Sequence, residues 1–231
     1  PISSTGHLIL TGSLLGMADA KSKVFDIAIQ TGAIFAVIIV YWQRIAGSLG
    51  AFGRDARATR FVLNVAIGFL PAAVIGFFVY KKIKVYLFNG PVVAGAFIVG
   101  GLIILLVEKV LKPRPRIMEV DDMTPLDALK VGLVQCLGMI PGTSRSGATI
   151  IGGMSQKLTR KLAAEFSFFL AVPTMFAASA KSFLDVYTET PEVISADNMT
   201  TLAVGAAVAF IVSLLAIKFF IGYVQKHGFK I

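Results

Sequence analysis

Pro141-Gly142-Thr143-Ser144-Arg145-Ser146-Gly147-Ala148-Thr149 sets four hydroxyls, three small backbone positions and one arginine within nine residues, with apolar runs close on both sides. A charge in or near a bilayer core costs at least a few kcal/mol. Arg145 therefore marks a functional site, unless it snorkels from a loop end to the interface. Hydroxyls, glycines and one guanidinium make a group of donors with little bulk, which suits a phosphate. For a lone arginine the two readings weigh evenly, and the start of the chain tips them.

Pro1-Ile2-Ser3-Ser4-Thr5-Gly6-His7 runs on through Leu8-Ile9-Leu10-Thr11-Gly12. Moved by 140 positions it falls on the first stretch without a gap: Pro1 on Pro141, Ser3 on Thr143, Ser4 on Ser144, Leu10 on Ile150, Gly12 on Gly152. A short charged link and a long apolar segment follow each copy, Val24 to Trp42 and Leu162 to Ala180. Weak symmetry of this kind belongs to membrane proteins built from two repeats, which place their site where the repeats meet.

Composition agrees. The chain is 56% hydrophobic and 15% charged, with mean hydropathy +0.79, which describes an integral membrane protein rather than a soluble domain. The net charge of +9 lies in short basic clusters between apolar spans. That pattern suits anionic lipid and the positive-inside rule and argues against a nucleic-acid partner. Cys136 is the single cysteine, so neither an internal disulfide nor a thiolate metal site is available; it reads as a small packing residue. A start on Pro1 inside a motif and an end at Ile231 after a basic cluster suggest a chain truncated at both ends.

Ser4 to about Leu15 is apolar and Gly-interrupted, too short for the roughly 20 residues a bilayer requires, so a half-helix or re-entrant segment is expected. After a polar break at Asp19–Lys23, Val24–Trp42 spans, anchored by Tyr41 and Trp42. Gln43–Arg60 carries Arg44, Arg54, Arg57 and Arg60 against Asp55 and is placed in the cytoplasm. Phe61–Tyr80 spans outward with Pro71 as a kink, which leaves Lys81, Lys82 and Lys84 on the outer side, against the positive-inside rule. Pro91 to about Val107 returns, and Glu108–Lys130, with Pro113, Pro115 and Pro125, is a cytoplasmic link. Val131–Gln156, broken by the motif and flanked by basic residues at both ends, is expected to be re-entrant. Leu162–Ala180 runs outward to Lys181–Thr200, rich in acidic residues such as Asp185, Glu189, Glu192 and Asp197; Thr201 to about Val224 returns to Lys226, His227 and Lys230.

Charge placement thus sends Val24–Trp42 inward and its repeat equivalent Leu162–Ala180 outward, which defines an inverted repeat. The expected fold is an all-α polytopic membrane protein with an inverted-topology repeat, two re-entrant broken helices and about five full spans. It forms one domain over 1–231, with repeat one at 1–108, the link at 109–130 and repeat two at 131–231.

Ser4 and His7 stand three apart and share one face of a helical turn. A serine hydroxyl is a weak nucleophile until a base such as imidazole takes its proton. Arg145, brought in from the other repeat, would neutralise charge on a transferring phosphoryl group. Ser144, Ser146 and Thr149, with the amides near Gly142 and Gly147, would donate to phosphate oxygens, and half-helix N-termini would add favourable dipoles. Plainer roles stand beside these. Ser3 or Ser4 could cap a helix, His7 could pack, Gln30 could bond between helices, Asp26 and Glu165 could pair with basic residues, and His227 could be a solvated tail residue. The functional reading wins only for the paired motifs together.

PISSTGH at 1–7, followed by an apolar run, and PGTSRSGATIIGG at 141–153 resemble the two signature regions of the undecaprenyl-pyrophosphate phosphatase family (BacA/UppP, bacitracin resistance). EFSFFLAVP at Glu165–Pro173 and DDMTPLDA at Asp121–Ala128 are similar to that family too, and the likeness covers essentially the whole chain. It implies hydrolysis of undecaprenyl pyrophosphate to the monophosphate and inorganic phosphate, which recycles the lipid carrier of peptidoglycan synthesis and gives bacitracin resistance. By motif position it implies Ser4 as nucleophile, His7 as acid/base and Arg145 as phosphate clamp. Ser3, Thr5, Gly142, Thr143, Ser144, Ser146 and Thr149 would bind substrate.

The resemblance also implies a divalent cation, Mg or Ca. The family's glutamate-rich motif lies just upstream of PxSSTGH, and this sequence begins after it, so no metal ligand is assigned within the chain. The implied setting is the bacterial cytoplasmic (inner) membrane, with polyprenyl pyrophosphate lipid as partner, a site facing the periplasm, and room for a homodimer. Rival readings are a passive structural membrane protein, which would have no use for a buried Arg145, and two active classes. Phosphatidic-acid phosphatase-type enzymes would need a histidine at position 151, where Ile151 stands. A polyprenyl-phosphate transporter could use the same phosphate-binding centre, but a carrier needs no nucleophile, so the Ser/His pair favours an enzyme.

Overall fold

A computed structural model describes residues 3–16, 20–110, 115–189 and 196–227; Pro1, Asp19, Pro113, Glu192 and Lys230 lie outside the described residues. Nine α-helices follow in order among them: α1 Ser4–Leu14, α2 Ala20–Val40, α3 Trp42–Gly50, α4 Ala56–Tyr86, α5 Gly90–Val110, α6 Pro125–Gln135, α7 Arg145–Ser155, α8 Arg160–Glu189 and α9 Ala196–His227. Within them Ala56–Tyr80, Gly90–Val107, Arg160–Glu189 and Met199–Phe219 are long and apolar enough to cross a membrane. The bent pair α2–α3 makes a fifth span if counted as one. Leu102, Leu105 and Leu106 on α5 and Ile211 and Leu215 on α9 are exposed, a surface that lipid rather than water solvates.

Several boundaries differ from the sequence expectation, each for a local reason. The stretch after Val24–Trp42, placed in the cytoplasm by its charge, opens with the helix α3, which meets α2 at 73°; it buries Ser48 and packs Ile45 on the core. Helix α6 starts at Pro125, ahead of the expected Val131. Thr124 accepts from the Asp127 amide, the Asp127 carboxylate accepts from the Thr124 amide, and proline takes the first turn, so a capping box starts the helix. Helix α8 runs on through the expected outer loop to Glu189, helped by an ion pair between Lys181 and Asp185 one turn apart.

Contacts fix the directions of the long helices. Val24 packs with Val186 while Tyr41 meets Phe169, so α2 and α8 are antiparallel. Leu202 packs against the cluster of Val24 and Val186, Ala206 lies against Gly32 and Ile217 packs with Val37, so α2 and α9 run parallel. Phe61 meets Phe169 and Tyr80 meets Lys181, so α4 runs alongside α8. Helix α2 begins at 20 and α8 at 160; α4 begins at 56 and α9 at 196, the same step that separates the motifs.

One face gathers the basic loops. Arg44 pairs with Asp121 and lies 4.8 Å over the Phe61 ring, and Arg60 Nη1 donates to the Asp121 carbonyl at 3.1 Å. The Arg116 amide donates to the Lys157 carbonyl at 2.8 Å, and Ile117 bridges Leu158. These bonds tie the start of α6 to the end of α7. The two 11-residue helices therefore enter and leave by one face, with the arginine motif at the turn between them. A Cβ on Gly132 would lie 2.2 Å from the Gly68 carbonyl oxygen, so α6 and α4 touch at backbone distance. Met123, Val131, Phe166 and Leu170 fill the core around that crossing.

Candidate functional site

The turn before α7 needs a glycine. Gly142 has φ +92°, and a Cβ there would lie 2.6 Å from the Val93 carbonyl oxygen of α5. Ser144 then caps α7, its hydroxyl accepting from the Gly147 amide at 3.1 Å and lying 3.2 Å from Ser146 Oγ. That leaves the amides of Arg145 and Ser146 without a partner among the described residues, as the first turn of a helix requires unless a ligand supplies one. Buried Thr149 bonds back to the Arg145 and Ser146 carbonyls at 3.0 Å and lies 2.6 Å from Ser167 Oγ on α8.

Arg145 is half-buried. Its Nη1 donates to the Ser167 carbonyl at 2.8 Å and its Nη2 lies 3.6 Å from Met175 Sδ. Its aliphatic stem fits because position 138 is glycine: a Cβ there would come within 2.8 Å of Arg145 Cα, Cβ and Cγ. Both polar partners are neutral, and no carboxylate pairs with the guanidinium among the described residues. Glu165, a sequence candidate for such a partner, lies 3.9 Å from Lys161 on its own helix instead.

Helix α1 repeats the plan. Ser3 is its cap, accepting from the Gly6 amide at 3.3 Å. Ser4 therefore opens the first turn, exposed and without a hydrogen bond to its hydroxyl among the described residues. His7 Nδ1 donates to the Ser3 carbonyl at 2.8 Å. A carbonyl can only accept, so Nδ1 carries a proton, and in the neutral ring the lone pair falls on Nε2. The His7 ring meets Phe97 of α5 edge-on at 5.6 Å.

The two motifs meet at Gly6. A Cβ on Gly6 would lie 3.4 Å from Gly142 Cα and 2.6 Å from Phe97 Cζ. The first turn of α1 thus rests on the loop that leads into α7, and α5 lies under both. Ser3, Ser4, Thr5 and His7 are brought to the same region as Gly142, Thr143 and Ser144. The Arg145 guanidinium turns instead toward α8, and it shares no hydrogen bond with Ser4 or His7. Sequence reasoning missed Ser167, Met175, Gly138 and Phe97. Ser167 had a faint signal as the lone hydroxyl in the apolar stretch Glu165–Pro173; the other three had none.

A divalent cation of the Mg or Ca type seeks several carboxylate or carbonyl oxygens. Among the described residues no three His, Cys, Asp or Glu side chains converge, and the motifs offer hydroxyls, one imidazole and one guanidinium. These residues alone do not make its site. What they do offer is a serine opening one short helix, an imidazole three residues on, two helix N-termini, and a guanidinium with no carboxylate partner among the described residues.

The fold defines a polytopic helical membrane protein in which two hydroxyl-rich motifs meet at Gly6 and Gly142. More narrowly, the chain belongs to the bacitracin resistance protein BacA family, whose model matches residues 1–231. It is 57% identical over 229 residues to an undecaprenyl-diphosphatase of Acidovorax ebreus (strain TPSY), covering 99% of this chain and 82% of that protein. The undecaprenyl-diphosphatase of Variovorax paradoxus (strain S110) is 56% identical with the same coverage. That of Nitrosomonas eutropha (strain DSM 101675 / C91 / Nm57) is 51% identical over 231 residues, 100% of this chain and 82% of the relative.

Proposed function

We propose that this protein hydrolyses undecaprenyl pyrophosphate to undecaprenyl phosphate and inorganic phosphate, renewing the lipid carrier of peptidoglycan synthesis and conferring bacitracin resistance. The observation that carries this reading is Arg145, held by a carbonyl and a thioether and, among the described residues, lacking a carboxylate. A half-buried charge in that setting is costly until a counter-ion arrives, and a substrate phosphate supplies one beside the free amides of α7. In this scheme His7 Nε2 takes the Ser4 proton as Ser4 Oγ attacks the terminal phosphorus. The P–O–P bond breaks, and undecaprenyl phosphate leaves with the proton that His7 took, which returns the imidazole to its neutral form. Water, activated by His7, then cleaves the phosphoserine to release phosphate and restore Ser4. Arg145 and the motif hydroxyls hold the phosphoryl oxygens.

The opposed directions of α2 and α8, at one register step, support an inverted repeat. A periplasm-facing mouth in the inner membrane follows from placing the basic face in the cytoplasm. A divalent cation and a homodimer complete the reading. Opposed helices also favour a second reading, a carrier that flips polyprenyl phosphate.

Phosphate release from undecaprenyl pyrophosphate in detergent separates the two. Wild type, Ser4→Ala and Arg145→Ala are assayed with and without a chelator. Turnover that needs both residues, falls on chelation and recovers with added Mg or Ca supports the phosphatase. A wild type that binds polyprenyl phosphate through Arg145 but releases no phosphate supports the carrier.

A further inference from the structure

Beside the arginine motif lies a cleft of about 200 Å³ between α2, α8 and α9. Ala33 and Val37 of α2, Phe168 and Val172 of α8, and Ser213 and Ile217 of α9 line it, and Arg145 is the one charged residue among those that border it. We infer that this cleft holds the isoprenoid units next to the pyrophosphate, so that the substrate reaches Arg145 from the bilayer between these three helices. The inference rests on the proposed function and adds where the lipid chain lies.

Three observations favour this occupant. The walls are apolar, so a free phosphate would find a single cation and no further donors than Ser213 there. The cation has no carboxylate partner among the described residues, so a neutral lipid tail would leave it uncompensated. An amphiphile with a phosphate at one end and hydrocarbon behind it satisfies both. Phe35 of α2 and Phe176 of α8, chain neighbours of the lining residues Ile34 and Met175, are exposed, so apolar surface for the rest of a long chain begins beside the cleft. A cleft this size holds only the head-proximal units. Selection is therefore for an isoprenoid start rather than for total length, and farnesyl and undecaprenyl pyrophosphate should use it alike.

Filling the cleft from two different helices tests this. Ala33→Leu and Ser213→Leu are purified, checked for a single monodisperse species, and assayed with both substrates, with inorganic pyrophosphate as a competitor that has no tail. The expected result is a KM about ten-fold higher for both lipids in each variant, the scale set by one or two misplaced methylenes in an apolar pocket. The kcat and the Ki of inorganic pyrophosphate should stay at wild-type values. Unchanged KM in both folded variants overturns the inference. A Ki that rises with KM also overturns it, because the residues would then shape the phosphate site. If wild type turns over neither lipid, the phosphatase reading fails, and the inference is judged by undecaprenyl phosphate binding: about ten-fold weaker in both variants upholds it, unchanged affinity overturns it.

Discussion

Helices α1 and α7 have the same length and the same first turn, a serine cap and two amides without partners among the described residues, but they are held very differently. Helix α7 buries Thr149, Ile150, Gly152, Gly153 and Met154, and its polar groups are tied to α8 through Ser167. Helix α1 buries only Gly6 and leaves Leu14 88% exposed; its attachments are Phe97 and the Gly6–Gly142 contact. The arginine thus sits on a pre-set element, while the proposed nucleophile sits on one with few contacts. A cation must be in place before substrate binds, because moving it later would add reorganisation to the barrier. A lightly held helix can instead adjust as the phosphate arrives.

The widest break in this comparison would come from Ser4→Ala. Losing a nucleophile is expected to cut kcat by about 10⁴-fold or more, with undecaprenyl phosphate binding retained. Phosphate release at the wild-type rate would reduce α1 to a structural copy of α7. Arg145→Ala comes next. Removing one pre-organised charge-stabilising group costs about 10²–10³-fold in kcat. Because Arg145 also compensates the ground-state pyrophosphate, KM should rise too, and Arg145→Lys should restore only part of the loss, since its single ammonium cannot copy the planar fork. If Arg145→Ala altered stability and not kinetics, the tie to Ser167 would be its whole role.

The contact between the regions offers a smaller effect. Gly142→Ala puts a Cβ on a residue at φ +92° and 2.6 Å from a carbonyl oxygen, so the loop must shift or bear about 1–3 kcal/mol of strain. Since Gly6 rests on this loop, kcat/KM should fall while each short helix keeps its own fold, which circular dichroism and thermal melting would show. Wild-type kcat/KM would mean that the two motifs act independently.

What the chain revealed in advance follows the same division. Serines, glycines and one arginine at matched spacing made the motifs and their helix breaks readable, because caps and turns are local chemistry. Apolar length and basic clusters gave the spans and the shared face of the link and the α7 end. The partner of Arg145 was not readable. A backbone carbonyl and a methionine sulfur carry no sequence mark, and carboxylates such as Glu165 looked better until the fold paired that one with Lys161. The early start of α6 had a visible sign in Thr124-Pro125-x-Asp127. Prolines in the link masked it, although proline at a first helical position starts a helix as readily as it ends one.

The finest test asks whether α7 is rigid because of its hydroxyl network. Ser167→Ala removes the side-chain contact to Thr149 but leaves the carbonyl that holds Arg145, and Thr149 can still bond back to its own helix at 3.0 Å. The loss should therefore be that of a single buried hydrogen bond, about 1 kcal/mol. Hydrogen exchange should quicken across Arg145–Ser155 by about five-fold, the same energy read locally, and stay unchanged across Ser4–Leu14. Equal quickening in both helices would mean that Gly6 and Gly142 couple them into one body, and α1 would then owe its order to α7. No change in either would assign the rigidity of α7 to its apolar face, where Ile150 and Met154 are buried in the same core as Phe166 and Leu170.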